Sequence, residues 1–472
     1  MNNFNLLSDL ETVKREPKER TWKFWVIFWS LAATFLISWF LFLEYKNSNW
    51  IEIANFFSPV LKVAPIAEKQ KTELQSIFKI ASIISETEEV QTFLILLQNN
   101  LELRPGGGFI GSFGILKIEN GKVIEIDIHD TNVFDDRIST GITPPYPMPE
   151  TLNIKNWEMR DSNWSPDFPE NAKKASYLYK LQGGGEEFDG VAAVSTEILS
   201  SFLETVGPVE IEGFPGEYNS GNAIVKLEYQ VEKGYKEQDI EKGQRKYIMK
   251  YLAKNILDKA QALGIGEKKE LLLKLEEHLD QKDIMLNFFN PIIQEEIVKL
   301  NWDGEVEQNI PSDYLMIVDA NLAAYKTDLY MVRSFKYQVD FSGVEPIAKL
   351  DLTYTNTARA KDWMTNDYQS YLRVYVPREG WLLNSSSTRP IKFGEEFDKK
   401  YFGTLVQIPI NQSRTFHFEY RLPERITFEN YSLMIQKQSG ISEMEGEIEL
   451  IDKNKDSQKH EITITQDWEL NI

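Results

Sequence analysis

The chain of 472 residues carries 52 basic and 72 acidic side chains, a formal net charge of −20. Nucleic acids are bound through clustered cationic side chains, so this balance argues against a nucleic-acid-binding protein. The sequence contains no cysteine, which excludes disulfides, thiolate nucleophiles and cysteine-ligated metal centres.

A stretch near the N-terminus has the length and composition of a membrane span. Residues 24–43 read FWVIFWSLAATFLISWFLFL without one charge, and about 20 apolar residues cross a hydrocarbon core of roughly 30 Å. The alternative, a cleaved signal peptide, would have a shorter apolar core and a small-residue cleavage site, which LEYKNSNW does not provide. Basic residues precede the span, so we expect a single-pass protein of the cell membrane with a cytoplasmic tail at 1–23 and an extracytoplasmic remainder.

The next segments predict a stalk and then strands. Apolar residues at helical spacing predict a helical stalk over 44–90, and TFLILLQ at 92–98 predicts a buried strand. The run FGILKIENGKVIEIDI predicts a β-hairpin, because Asn120-Gly121 supplies the positive φ angles of a type I′ turn.

The glycine-rich run RPGGGFIG, residues 104–111, contains the spacing G-x-G-x-x-G. A dinucleotide fingerprint needs a helix after the glycines, whereas here a β-hairpin follows, so that interpretation is rejected. Two interpretations stay open. The glycines beside Arg104 either let backbone amides approach an anion, or simply connect two strands.

The remainder divides into two patterns. Residues 91–335 alternate strands and helices around an irregular loop at 129–170, which predicts an α/β domain. Residues 336–472 form short alternating strands, which predict an all-β, sandwich-like domain. The expected fold is therefore an α/β domain followed by a β-sandwich-like domain, on a single N-terminal transmembrane helix.

Two signatures, NNLELRPGGGFIG and RDSNWSPDFPENA, resemble a bacterial envelope family known as domain of unknown function 4012. The resemblance covers roughly residues 90–335 and extends to DANLAAYKTDLYMVR, where Ala323 and Ala324 replace the family's two glycines.

That family in turn is similar, more remotely, to the LytR–CpsA–Psr phosphotransferases. This resemblance implies α/β/α layers, a polyprenyl-pyrophosphate-linked glycan as ligand and a cell-wall polymer as a further partner. It also implies that Arg104, Arg245 and Lys246 lie near a lipid pyrophosphate. Where those enzymes place metal-binding aspartates, this chain has Asn99 or Asn100. A role for Mg²⁺ stays open without an evident ligand set, and we assign no metal ligand.

Phosphoryl transfer needs positive charge around anionic oxygens and an acceptor for the incoming hydroxyl proton. The candidate catalytic residues are Arg104, Asp130, Arg160 and Asp161. The candidate ligand-binding residues are Gly106, Gly107, Gly108, Arg245, Lys246, Asn321, Lys326 and Arg333. For each arginine the alternative is a structural ion pair. Trp157 and Trp164 either stack on a sugar ring or only pack.

Two functions therefore remain open. The first is an envelope protein that binds or transfers polyprenyl-pyrophosphate-linked glycans. The second is a noncatalytic cell-surface binding or scaffold protein. The two differ in whether Arg104, Arg160 and Arg245 converge on one cleft.

Overall fold

The computed structural model describes residues 68–472, and the chain divides into two compact units, Met1–Ser82 and Ile83–Ile472. Helix α1, Glu68–Glu86, lies within the predicted stalk. The predicted tail at 1–23 and the predicted membrane span at 24–43 fall outside the described residues. None of the helices within residues 68–472 combines the length and apolar character that a membrane span requires.

A five-stranded mixed sheet is built between residues 91 and 288, in the order β3-β2-β1-β4-β7. Its strands are β1 (Gln91–Arg104), β2 (Gly107–Glu119), β3 (Lys122–Asp130), β4 (Gly190–Ser195) and β7 (Ile284–Phe288), while β5 (Val209–Glu210) and β6 (Glu217–Tyr218) form a separate ribbon. The central strand β1 runs antiparallel to β2 and parallel to β4. Asn120 and Gly121 have φ angles of 50° and 70° between β2 and β3, which confirms the predicted hairpin turn.

Helices, several of which pack on the sheet, lie between and after these strands in the chain. They are α2 (Thr131–Asp135), α3 (Met148–Leu152), α4 (Phe168–Leu181), α5 (Glu197–Val206), α6 (Ala223–Tyr229), α7 (Tyr235–Glu237), α8 (Tyr247–Ala262), α9 (Ile265–Asp280) and α10 (Pro291–Lys299). Helix α4 begins where the Asp167 carboxylate accepts the Glu170 amide, a standard N-cap. Its apolar residues Phe168, Ala172 and Ala175 recur at helical spacing and pack in one core with Leu94 and Leu96 of β1.

The second half of the unit is a β-sandwich of two six-stranded sheets, ordered β12-β15-β10-β9-β17-β18 and β13-β14-β11-β8-β16-β19. Its strands are β8 (Asp313–Val318), β9 (Met331–Asp340), β10 (Ile347–Asn356), β11 (Tyr368–Pro377), β12 (Trp381–Ser385), β13 (Lys392–Glu396), β14 (Lys399–Ile408), β15 (Gln412–Arg421), β16 (Ser432–Gln436), β17 (Met444–Ile451), β18 (Ser457–Ile464) and β19 (Trp468–Asn471). Alternate residues such as Phe335, Tyr337 and Val339 point into the shared core.

Strand β8 lies within residues 91–335, which the sequence assigns to the α/β domain, but it pairs within the sandwich instead. Every residue of β8 is buried, and it runs parallel to β16. A strand buried on both faces lacks the alternating pattern of the later sandwich strands. Its sequence therefore resembles an α/β strand, although the chain enters the sandwich at Asp313, ahead of the predicted start at 336.

Candidate functional site

A cleft of about 460 Å³ lies where the end of β1 meets loops of the sandwich. We call it the arginine cleft. Its lining residues are Glu102, Arg104, Phe109, Asn132, Leu152, Ile154, Arg160, Asp161, Glu232, Lys233, Ala324, Tyr325, Lys326 and Trp363. These residues come from at least six separate segments of the chain, so only the tertiary fold assembles them.

Arg104 is the last residue of β1, and the strand is irregular just before it. The β1–β2 pairing shifts register between Asn99 and Leu103, as β-bulges beside functional sites often do. The Arg104 guanidinium lies 2.9 Å from the Glu102 carboxylate and donates to the backbone oxygen of Asn321 at 2.7 Å. It also stacks over the Phe109 ring, with 5.3 Å to the centroid. Arg104 is thus held in one orientation and is only 2% exposed.

Asp161 lies between two of the candidate arginines. Its carboxylate is 3.7 Å from Arg104 Nε and 3.8 Å from Arg160 Nε. Within residues 68–472, neither Asp161 Oδ1 nor Arg104 Nε has a hydrogen-bond partner, although both atoms are buried. Burial raises the pKa of Asp161, and the two guanidinium groups oppose that rise. Asp161 therefore offers the cleft an oxygen that is free to accept a hydrogen bond.

Arg160 reaches the cleft from a 3₁₀ turn at Met159–Asp161. It pairs with Glu158 and donates to Asn132 Oδ1 at 3.1 Å. Its Nε also lies 3.8 Å from Asp135. Burial raises the pKa of Asp135 to about 7, against the opposing charge of Arg160. Arg160 is more exposed than Arg104, so it is the guanidinium that a ligand reaches more easily.

Lys326 approaches the same cleft from the loop between β8 and β9. Its ammonium lies 3.7 Å from Glu102 and 3.4 Å from Glu228. Burial disfavours its charge, but these two carboxylates outweigh that effect and raise the pKa of Lys326. Lys326 thus remains charged, and every candidate cation of the arginine cleft already faces at least one carboxylate.

Asp130 forms a second, neighbouring cluster that does not line the cleft. The end of β3 places it 3.0 Å from Arg245 and 3.1 Å from Lys246. Burial works against its charge, but Lys246 and Arg245 outweigh it and lower the pKa of Asp130. Arg245 also lies 3.6 Å from Glu232, a lining residue. A carboxylate with a lowered pKa and two cationic partners is a poor proton acceptor, so Asp161 is better suited to that role than Asp130.

The predicted glycine site has a structural explanation. The Gly106 amide donates to the Asn163 backbone oxygen at 3.0 Å, and Gly107 has a φ of 122°. A Cβ at Gly108 would overlap the Asn99 backbone. Gly106, Gly107 and Gly108 are buried and absent from the cleft lining. They allow the close connection between strands β1 and β2.

Asn321 and Arg333 stabilise the arginine cleft without lining it. Asn321 is fully buried and supplies the backbone oxygen that holds Arg104. Arg333 lies 2.8 Å from Asp319 and 2.5 Å from Asp328. The second Asp328 oxygen accepts the Leu103 amide of β1 at 3.0 Å. These residues link the sandwich to β1, and neither side chain lines the cleft.

Sequence reasoning missed several lining residues. Glu102 had a signal, because residues i and i+2 of a strand share one face and Glu102 stands two before Arg104. Lys233 and Trp363, by contrast, meet only in the folded chain, with the ammonium 5.1 Å from the indole centroid.

Asn99 or Asn100 stands where the LytR–CpsA–Psr enzymes have metal-binding aspartates, and both residues hydrogen-bond to other side chains. Asn99 donates to Glu228 at 2.9 Å, and Asn100 donates to Glu197 at 3.1 Å. In the portion of the chain that the structure describes, histidine, aspartate and glutamate nowhere form a group of three that could hold a metal ion.

Chemically, the arginine cleft is a paired network rather than a purely cationic hollow. Guanidinium, ammonium and carboxylate groups line it together with the rings of Phe109, Tyr325 and Trp363. Such a lining offers donors and acceptors to a ligand rich in hydroxyl groups. It also offers two guanidinium groups to an anion.

Residues 88–231 match the model of the family described as Protein of unknown function (DUF4012). The resemblance to that family is thereby confirmed over a shorter range than the expected 90–335. No curated protein matches the chain significantly.

Three solved structures align with part of the chain. Protein gbs0355 from Streptococcus agalactiae is 14% identical with a TM-score of 0.31, covering 47% of this chain and 76% of that chain. The Lin1025 protein from Listeria innocua is 10% identical with a TM-score of 0.26, covering 49% and 86%. TagV of B. subtilis is 9% identical with a TM-score of 0.25, covering 46% of this chain and 81% of that chain. Likenesses of this degree do not extend to a shared ligand or reaction.

Proposed function

We propose that the protein is a membrane-anchored, extracytoplasmic envelope protein whose arginine cleft binds a lipid-linked glycan. The observation that supports this proposal is the convergence of Arg104, Arg160 and Lys326 on one cleft. These residues are far apart in sequence, and a set of unrelated structural ion pairs would not need to face a common hollow.

Because each candidate cation of the arginine cleft is paired with a carboxylate, the cleft favours glycan binding over phosphoryl transfer. A phosphoryl-transfer site leaves positive charge available for the developing negative charge of the transition state. Here Glu102 and Asp161 already lie beside Arg104, and Glu228 lies beside Lys326. The mixed lining suits the sugar hydroxyls of a glycan at least as well as its pyrophosphate.

Membrane anchoring is the other half of the proposal and rests on residues 24–43. A tether holds the cleft near lipid-linked ligands and raises their effective concentration. The full-length protein should stay in the membrane fraction after an alkaline carbonate wash, and a chain without residues 1–43 should not. Equal release of both proteins would rule out the anchor.

Binding is tested with full-length protein in detergent and a polyprenyl-pyrophosphate-linked disaccharide. We expect Arg160→Gln to weaken binding about tenfold, which corresponds to ~1.4 kcal/mol for a lost contact to an anionic or hydroxyl group. The matched control is Arg378→Gln, an exposed arginine of the sandwich that also pairs with carboxylates. Equal affinities for both variants, or no binding by the unaltered protein, would refute the proposal.

Transfer is the second candidate, and one observation favours it. The Asp161 carboxylate lies between two guanidinium groups, has a raised pKa, and carries an oxygen without a hydrogen-bond partner among residues 68–472, which suits it to accept the proton of an attacking hydroxyl group. If transfer occurs, Asp161→Asn should abolish the release of polyprenyl phosphate while the glycan still binds. Unchanged release in that variant would exclude this role.

A further inference from the structure

A second cleft, of about 570 Å³, lies between the 145–174 segment and the outer face of the sandwich. We call it the aromatic cleft, after the rings of Tyr146, Trp157, Trp164, Tyr371, Phe393 and Tyr401 that line it. The segment 157–165 separates the two clefts, because Arg160 and Asp161 face the arginine cleft while Trp157 and Trp164 face the aromatic one. The proposed function makes no use of this second cleft.

The rings form an ordered surface. Trp164 and Tyr371 are nearly parallel, with an interplanar angle of 7° and 6.3 Å between centroids. Tyr146 meets Tyr371 edge-on at 5.6 Å. Tyr146 and Phe393 remain 44% and 62% exposed, so apolar ring faces are open at the mouth of the cleft. Exposed aromatic faces suit the apolar faces of sugar rings.

Two ammonium groups at the cleft have no carboxylate of residues 68–472 within 4.0 Å, although Glu170 and Glu396 also line the cleft. Lys174 lies 4.3 Å from the centroid of the Trp157 ring, and Lys392 lies 5.2 Å from that of the Tyr146 ring. Most other lysines and arginines of the described chain that line a cleft lie within 4.0 Å of a carboxylate, as Arg373 does with Glu396 at 3.3 Å. Lys174 and Lys392 thus leave positive charge beside aromatic faces, where an anionic substituent of a bound ring would lie.

Two buried polar groups of the lining also lack partners. Ser162 Oγ is buried with a residue exposure of 1%, and Arg373 Nε is buried at 3%. Neither atom has a hydrogen-bond partner among residues 68–472. Arg373 is otherwise fixed, because it donates to the Trp164 backbone oxygen at 2.9 Å and pairs with Glu396. Buried polar groups are normally satisfied, so a ligand with hydroxyl groups is the chemical complement of these two.

We infer that the aromatic cleft is a binding site for an acidic saccharide. A sugar ring would lie on the exposed aromatic faces, its carboxylate or phosphate group between Lys174 and Lys392, and its hydroxyl groups toward Ser162 and Arg373. A neutral sugar would leave both ammonium groups without a counter-charge, and an acidic peptide would not present the flat apolar faces that the rings fit. The site is separate from the arginine cleft and does not depend on the proposed function.

The test measures affinity of the full-length protein in detergent for three probes. These are trigalacturonic acid, which carries carboxylates, a hexose 6-phosphate, and maltotriose as the neutral probe. We expect at least one acidic probe to bind more tightly than maltotriose, with an affinity that falls as salt increases. Whichever acidic probe binds shows whether the site takes a carboxylate or a phosphate group. Binding of neither, or equal binding of maltotriose, would overturn the inference.

Variants locate the binding. Lys174→Gln and Lys392→Gln should each weaken the acidic probe about fivefold and lose part of the salt dependence, as expected for partly exposed ion pairs. Lys459→Gln, on an exposed strand of the sandwich, is the matched control and should leave affinity unchanged. Tyr146→Ala removes an exposed ring and should also weaken binding. Urea unfolding of each variant checks the fold, and full affinity in both lysine variants would place the binding elsewhere.

Discussion

Arg104 Nε and Asp161 Oδ1 face each other at 3.7 Å, both buried and both without a hydrogen-bond partner among the described residues. The distance is too long for a hydrogen bond but short enough for a strong charge interaction in a buried site. A ligand group placed between these two atoms can donate a hydrogen bond to Asp161 Oδ1 and accept one from Arg104 Nε. A bound ligand therefore gains the most free energy at this part of the arginine cleft.

The same relationship predicts that Arg104 is essential for stability. Arg104→Ala removes the nearest cation from two buried carboxylates, leaving Asp161 with Arg160 at 3.8 Å and Glu102 with Lys326 at 3.7 Å, which should lower the free energy of unfolding by about 3–5 kcal/mol. Urea unfolding of the full-length protein measures this. Arg378→Ala, at an exposed pair, should change stability by less than about 1 kcal/mol. A similar small effect at Arg104 would show that its pairs contribute little.

The raised pKa of Asp135 predicts a pH dependence of stability. Its folded pKa of about 7 lies above the ordinary value of 3.8, so the folded state binds the extra proton and loses stability as pH rises from about 4 to 7. Asp135→Asn should flatten this part of the profile and stabilise the protein at pH 8 by about 2–4 kcal/mol. Unfolding midpoints in urea across that pH range provide the measurement. A variant profile as steep as the original would contradict the assignment.

Asp130 should act in the opposite sense. Its pKa is lowered, so its contribution is present above the ordinary carboxyl value and is lost as pH falls below about 4. Asp130→Asn should therefore destabilise the protein at neutral pH, since Arg245 and Lys246 lose their shared carboxylate, and should reduce the acid sensitivity. The same urea series, extended to pH 3, compares the two aspartates directly. If Asp130→Asn and Asp135→Asn changed the free energy of unfolding in the same direction, this account would be refuted.

The glycine turn predicts a sharp difference between two substitutions. Gly108→Ala would place a Cβ against the Asn99 backbone, which cannot yield as a flexible side chain can. We expect a loss of about 2–4 kcal/mol or a failure to fold. Gly185→Ala is the control, because its Cβ would meet nothing within 4 Å. Thermal unfolding distinguishes them, and equal melting temperatures would show that β1 and β2 can separate locally.

Ala324 lines the arginine cleft with a φ of 55°, a left-handed conformation that glycine adopts without strain. Ala324→Gly should raise the free energy of unfolding by about 0.5–1 kcal/mol because it relieves this strain. Ala323→Gly, at the preceding residue without a positive φ, should lower it by a similar amount of about 0.5–1 kcal/mol. Urea unfolding tests both, and the same sign of change in the two variants would contradict the explanation.

Much of the secondary structure could be predicted because its causes are local. Asn120-Gly121 supplies its own turn geometry, and Asp167 caps α4 from the adjacent position. The alternating strands after residue 336 each carry their own inward and outward faces. Strand β8 is the exception. It is buried on both faces, so its sequence has no alternating pattern that would assign it to one sheet or the other.

The sequence by itself determined the candidate span at 24–43, the hairpin, the sandwich strands and the expectation that Arg104, Arg160 and Arg245 converge, of which the structure brings Arg104 and Arg160 to the cleft but not Arg245. Only the tertiary structure decided that Asp161 rather than Asp130 has a free oxygen, that the glycines pack, and that Arg333 is a buried support. The physical reason is distance along the chain. Turns and periodicities arise between neighbours, whereas Arg104 meets Asn321 across 217 residues, and the pKa of each carboxylate depends on burial and charges that only the folded chain brings near.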